Sequence, residues 1–181
     1  MFTLVIGGAA SGKSEYAEGL VLCSPHRPRY YIATMEPFDD EGRARVDKHR
    51  KMRADKQFET VECYTNLMSA RLRSRGAALL ECVGNLAANE LYSPSGAGNR
   101  TDALISILLG VSSLLEQCRD LVVVSNEVFT GGERYAQGTE DYMRLVADVN
   151  RALAKRADRL CEVVCGLPQY YTTGRGRIGC R

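Results

Sequence analysis

Short apolar runs recur along the chain: FTLVI at 2–6, RYYIAT at 29–34, FETVE at 58–62, AALLEC at 77–82, DLVVVSN at 120–126 and LCEVVCG at 160–166. Most are continuous rather than alternating, which predicts strands covered on both faces, as in a parallel sheet. FETVE reads as edge-like. Longer stretches with helical periodicity lie between them, at 12–22, 40–53, 101–118 and 139–157; in the last, Tyr142, Leu145, Val146, Val149 and Leu153 share one face. Strands alternating with helices predict an α/β fold, a mostly parallel sheet with flanking helices and right-handed crossovers. Functional groups are then expected at the carboxyl ends of the strands.

The segment YSPSGAGNR at 92–100 reads as a mobile surface loop, and TTGRGRIGCR at 172–181 as a basic, poorly ordered tail. The organisation expected is one domain over 1–171 with that tail appended. At 181 residues the chain is long enough to bury a core without disulfides or metal.

The first strand leads into GGAASGKS at 7–14, which satisfies G-x-x-x-x-G-K-[ST] with Gly7, Gly12, Lys13 and Ser14 in the fixed places. Such a loop needs glycine where φ is positive, so that successive backbone N–H groups converge on phosphate oxygens at a helix N-terminus. Lys13 is expected to reach the phosphate chain and Ser14 to supply a Mg²⁺ ligand. The architecture is therefore that of a P-loop NTPase, RecA-like. No NKxD-type base-recognition motif of a GTPase is present, and the chain is short for a mechanical ATPase, so a small-molecule kinase fits better. Its metal-side carboxylate should end a buried strand. Glu81 and Glu127 both qualify, and Glu81 is preferred because its strand follows the edge-like one.

A net charge of +2 argues no general affinity for nucleic acid, so anion binding must come from local clusters. No segment reaches membrane-spanning length, and the apolar start MFTLVIGG is too short for a signal h-region. Seven cysteines without a paired CxxC spacing suit reduced thiols better than disulfides or zinc. A cytoplasmic enzyme is expected.

Residues 44–53, ARVDKHRKMR, hold five Lys/Arg around His49, one of two histidines in the chain. On a helix, Arg45, His49 and Arg53 would share a face. Two guanidiniums beside an imidazole would grip phosphate and keep the ring neutral, hence nucleophilic. From residue type alone, an ordinary solvated basic face is the favoured reading. His26, between prolines in SPHRPR, reads as a loop residue.

FTLVIGGAASGKSEYAE, YIATMEPFDDEGRARVDKHRKMR, FETVE, LLECVGNLAANEL and VVVSNEVFTGGERY, followed by RLVADVNRALAKRADRLCEVVCGLP, resemble in order the bifunctional adenosylcobinamide kinase / adenosylcobinamide-phosphate guanylyltransferase family of cobalamin biosynthesis, over residues 2 to about 168. The resemblance implies two reactions. ATP or GTP phosphorylates the aminopropanol hydroxyl of adenosylcobinamide; GTP then guanylylates a histidine, matched by His49, and the GMP passes to adenosylcobinamide phosphate. It implies Mg²⁺ as cofactor and a homotrimer as the assembly. It implies nucleotide binding by Gly7, Gly8, Ala9, Ala10, Ser11, Gly12, Lys13 and Ser14, then by Thr34, Met35 and Glu36. Arg50, Lys51, Met52 and Arg53, together with Glu62 and Glu81, complete that set. Catalysis would fall to Lys13 and His49. A nucleotide role for Glu81 competes with its reading as a metal ligand, and sequence does not separate the two. Gly84 and Asn85 depart from the family, which often has Thr/Ser hydroxyls there, as does Phe58, near a frequent tryptophan. A guanylyltransferase that has lost the kinase step, or a nucleotide hydrolase or switch whose 44–53 helix docks a partner, are the competing readings.

Overall fold

The computed structural model describes residues 1–37, 56–127 and 136–171. Its strands are β1 (Phe2–Gly7), β2 (Arg29–Ala33), β3 (Phe58–Glu62), β4 (Ala77–Glu81), β5 (Asp120–Asn126), β6 (Arg159–Val164) and β7 (Leu167–Tyr171). Its helices are α1 (Lys13–Cys23), α2 (Val83–Tyr92), α3 (Arg100–Gln117) and α4 (Gln137–Arg156). All seven strands join one sheet in the order β3-β2-β4-β5-β1-β6-β7. Every pairing is parallel except that of β7 with β6.

The continuous apolar runs are explained by burial on both faces. Val5, Leu79, Val124 and Cys161 face α1, where they meet Ala17 and Val21. Their neighbours Leu4, Leu80 and Val123 point the other way, into a larger cluster with Leu86, Ile107, Val111, Leu114, Leu145, Val149 and Leu153 of α2 to α4. β3 lies at the sheet edge and is largely exposed, in line with its edge-like reading. α3 starts where the Asn99 side chain accepts a hydrogen bond from the Asp102 N–H, at 3.0 Å, an N-cap that satisfies one orphan donor.

Three features depart from the sequence reading. First, β7 follows β6 through a two-residue turn, Cys165–Gly166, with φ of 51° and 79°. Positive φ at both central positions matches the twist of a hairpin. A cysteine in the first of them, and Pro168 just beyond, hide the usual sequence signal. Second, α2 was not anticipated, because its buried face includes Asn89 and Glu90 among the apolar residues. Third, the loop after α2 is anchored rather than free. Glu90, 2% exposed, accepts from the N–H of Ala97 (3.1 Å), the N–H of Asn66 (2.8 Å) and the Ser106 hydroxyl (2.8 Å), and the Gly98 N–H reaches the Glu90 carbonyl.

The start of β5 is tied to the chain's first residue. Burial works against the Asp120 carboxylate, but the Ser24 hydroxyl at 2.6 Å and the N-terminal ammonium at 3.3 Å outweigh it, and its pKa lies below the usual aspartate value. A depressed pKa stabilises the fold above the unfolded-state value and ceases to do so as pH falls through the folded one. Asp120→Asn is therefore expected to lower Tm at neutral pH, with the difference from the wild type shrinking as the carboxylate is protonated, measured by thermal melts from pH 7 into acid.

Candidate active site

The functional groups collect at the carboxyl edge of the sheet. β1 ends at Gly7, packed so closely that an added Cβ would lie 2.6 Å from both the Ser11 hydroxyl and the Val163 carbonyl. The loop then turns through Gly12, whose φ of 87° is left-handed, and Tyr16 N–H donates to the Gly12 carbonyl as α1 begins. Lys13, 8% exposed, donates from Nζ to the Gly8 carbonyl at 3.1 Å, which holds its ammonium across the loop. One flank of the loop is closed by the β6–β7 turn, where the Gly166 N–H donates to the Ser11 carbonyl at 2.8 Å.

The other flank carries the acid. Ser14 Oγ donates to Glu81 Oε1 at 2.6 Å. Glu81 ends β4, which is separated from β1 by β5 alone. Of the two strand-end acids anticipated, Ser14 meets Glu81; the Glu127 backbone N–H instead donates to the Gly7 carbonyl. A hydroxyl and a carboxylate are hard oxygen donors, the set that suits Mg²⁺, which takes its remaining ligands from phosphates and water. Among the described residues there is no cluster of three or more His, Cys, Asp or Glu of the kind that holds a metal by protein ligands alone.

Thr34 supports Glu81. Fully buried, it places its hydroxyl 2.9 Å from the carbonyls of Glu81 and Cys82 and accepts from the Cys82 N–H at 2.7 Å. Its own N–H donates to the Glu81 carbonyl, and Asn89 Nδ2 holds the Thr34 and Tyr64 carbonyls. Burial, and next the Glu81 charge, push the Cys82 thiol up to about 11, so it is a neutral packing group here. Ala33 stands opposite both Glu62 and Glu81, so these acids lie at one level on either side of β2. Met35 and Glu36 follow at the same edge, and Glu36 Oε2 is buried with no hydrogen-bond partner among the described residues. His26 lies at the opposite edge of the sheet, 4.0 Å from Asp120, consistent with a loop residue.

Asn126 and Tyr142 were not singled out. Asn126 ends β5 opposite Gly7, and its side chain lies beside the Tyr142 phenol. A Cβ on Gly84 would lie 2.5 Å from Asn126 Nδ2 and 3.1 Å from Tyr142 Oη, so the space of the family's frequent hydroxyl is filled by that pair. The rule that pointed to Glu81, a polar residue ending a buried strand, would also have found Asn126.

The family described as cobinamide kinase / cobinamide phosphate guanyltransferase matches residues 3–170. The chain belongs to this family. It is 32% identical to the bifunctional adenosylcobalamin biosynthesis protein CobU of Salmonella typhimurium, covering 92% of this chain and 97% of that protein. The protein of the same name from Escherichia coli is also 32% identical, with the same coverage. Among solved structures, the flagellar accessory protein FlaH of Methanocaldococcus jannaschii superposes with a TM-score of 0.49 at 11% identity, over 95% of this chain and 78% of that one. As a cobinamide kinase / cobinamide phosphate guanyltransferase family member, the chain is an enzyme of both kinds, built as a mostly parallel sheet with flanking helices. His49, Arg50, Lys51, Met52 and Arg53, and the helix expected over 40–53, lie outside the described residues, as does the 172–181 tail. Among the described residues no helix is long and apolar enough to cross a membrane.

Proposed function

We propose that this chain uses one phosphate site for two successive transfers. In the first, the aminopropanol hydroxyl of adenosylcobinamide attacks the γ-phosphorus of ATP or GTP; the bond to the β–γ bridging oxygen breaks and the nucleoside diphosphate leaves. In the second, an imidazole nitrogen of His49 attacks the α-phosphorus of GTP and pyrophosphate leaves. A phosphate oxygen of adenosylcobinamide phosphate then displaces the histidine, giving adenosyl-GDP-cobinamide. The covalent intermediate splits one difficult transfer into two in-line displacements.

The observation that carries this reading is the Ser14–Glu81 contact of 2.6 Å beside the glycine loop. The loop N–H groups and Lys13 hold phosphate oxygens as charge develops on them. Ser14 and Glu81 would hold Mg²⁺, which neutralises phosphate charge when bound. Thr34 fixes the end of β4 and so positions Glu81; its hydroxyl serves that clamp, which leaves Met35, Glu36 and Glu62 as the contacts to nucleotide from this side. Glu81→Gln keeps the shape and removes the charge. It is expected to raise the Mg²⁺ concentration for half-maximal rate by about 10- to 100-fold while nucleotide KM at saturating Mg²⁺ changes little. A change confined to nucleotide KM would assign Glu81 to the nucleotide instead.

The test of the whole reading is conversion of adenosylcobinamide, with Mg²⁺, ATP and GTP, first to its phosphate and then to the GDP derivative, followed by chromatography. Absence of the phosphate removes the kinase step; absence of the GDP derivative from supplied phosphate removes the transferase step. A cytoplasmic homotrimer, and a single domain over 1–171 with 172–181 as an appendage, complete the proposal. They are supported by the resemblance and by one sheet that takes in every described strand, and light scattering in solution tests the assembly.

A further inference from the structure

Beside the phosphate site lies an open-sided cavity of about 440 Å³ between α2 and the start of α4, lined by Ala88, Tyr92, Ala136, Gly138, Thr139 and Tyr142. Among the described residues no charged side chain lines it, so it suits a neutral ligand rather than a phosphate or a carboxylate. Its walls are mainly apolar, with hydroxyls at Thr139 and Tyr142. Tyr92 is 58% exposed, and its phenol donates to the Gly138 carbonyl, which links the two helices across the cavity.

The inner wall leads to the reaction centre. The Tyr142 phenol and the Asn126 side chain meet over Gly84, Asn126 stands opposite Gly7, and the next residue donates its N–H to the Gly7 carbonyl. β5, which bears Asn126, lies between the strand of the glycine loop and the strand of Glu81. The cavity therefore adjoins the flank of the loop where Ser14 meets Glu81, not the flank closed by Gly166. Ser14 and Glu81, which would hold Mg²⁺, stand on that flank, so an acceptor alcohol would approach the γ-phosphate from this side.

We infer that this cavity seats the acceptor arm of the corrinoid, a neutral amide ending in a secondary alcohol, with the alcohol directed past Tyr142 and Asn126 toward the γ-phosphate. The volume holds one such arm and not a corrin macrocycle, which would rest outside against the exposed ring of Tyr92. The amide and alcohol have hydroxyl partners in Thr139 and Tyr142, and the methyl and methylene groups face Ala88 and Ala136. This inference rests on the kinase reading above.

The test uses the full chain and cobinamide as the probe. Ala88→Leu narrows the cavity and Tyr92→Ala removes its outer wall. Each is expected to raise KM for cobinamide in phosphorylation by at least about tenfold, the scale set by misfitting methylene groups in a pocket, and to leave ATP affinity, measured by calorimetry without corrinoid, at the wild-type value. Ile105→Ala, on the exposed face of α3, serves as the surface control. Unchanged cobinamide KM in both variants overturns the inference and leaves the cavity to the chain itself or to a second copy. A parallel loss of ATP affinity overturns it in favour of a nucleoside site. If Ala88→Leu melts below the assay temperature, the exposed Tyr92→Ala substitution decides alone. A wild type that does not phosphorylate cobinamide at all contradicts the kinase reading, a result distinct from either.

Discussion

Replacement of Lys13 by alanine is expected to lower both activities together, each by about 10²- to 10³-fold in kcat/KM, the loss typical when one preorganised donor to a developing phosphate charge is removed. Lys13 is 8% exposed and its ammonium is held across the glycine loop by the Gly8 carbonyl, so it is already in place when phosphate arrives. On the proposed reading both reactions break a phosphoanhydride bond on the same loop, one at the γ-phosphorus and one at the α-phosphorus, and one cation would serve both. Lys13→Arg should not rescue, because a planar fork cannot replace a point charge in a site this enclosed. Loss of the kinase alone, in parallel steady-state assays, would mean that the two nucleotides do not share the loop.

His49→Ala is expected to divide the activities in the opposite sense. Guanylyl transfer should fall below detection, because the other histidine of the sequence, His26, lies beside Asp120 at the edge of the sheet opposite the glycine loop. Phosphorylation of adenosylcobinamide should remain within about threefold of wild type, since removing a group that acts only in one transition state leaves the other unchanged. Product analysis by chromatography should then find adenosylcobinamide phosphate accumulating with no GDP derivative. Equal loss of both activities would make His49 part of the shared phosphate site and not the nucleophile of one step.

The parts of the fold readable from sequence are those where local pattern and tertiary environment agree. Leu4 and Val5, Leu79 and Leu80, and Val123 and Val124 point to opposite faces and are all fully buried, so continuous apolar runs translate directly into central parallel strands. Elements were missed where a tertiary contact justifies a residue that local pattern disfavours. Glu90 is buried on α2 because it gathers the backbone of the following loop, and Cys165 adopts positive φ because its hairpin packs on the glycine loop. The site divides in the same way. Gly7 to Ser14 form a contiguous motif and were legible at once. Glu81 is preferred over Glu127 on sequence because its strand follows the edge-like one, and the structure places the Ser14 hydroxyl against Glu81. Thr34 drew notice through the resemblance as a nucleotide contact, yet its hydroxyl is engaged with the end of β4. The assignment of His49 rests on the resemblance, because helical spacing makes a cationic face and no more.

The proposed mechanism has one P-loop site support a covalent histidine intermediate alongside phosphoryl transfer. It is tested most directly by incubating the protein and Mg²⁺ with GTP labelled at either the α- or the γ-phosphorus, then locating bound label by peptide mass spectrometry. Label is expected from the α position only, on His49, labile in acid and stable in alkali, as a phosphoramidate is. Label on another residue, label from the γ position, or equal labelling of His49→Ala would contradict it.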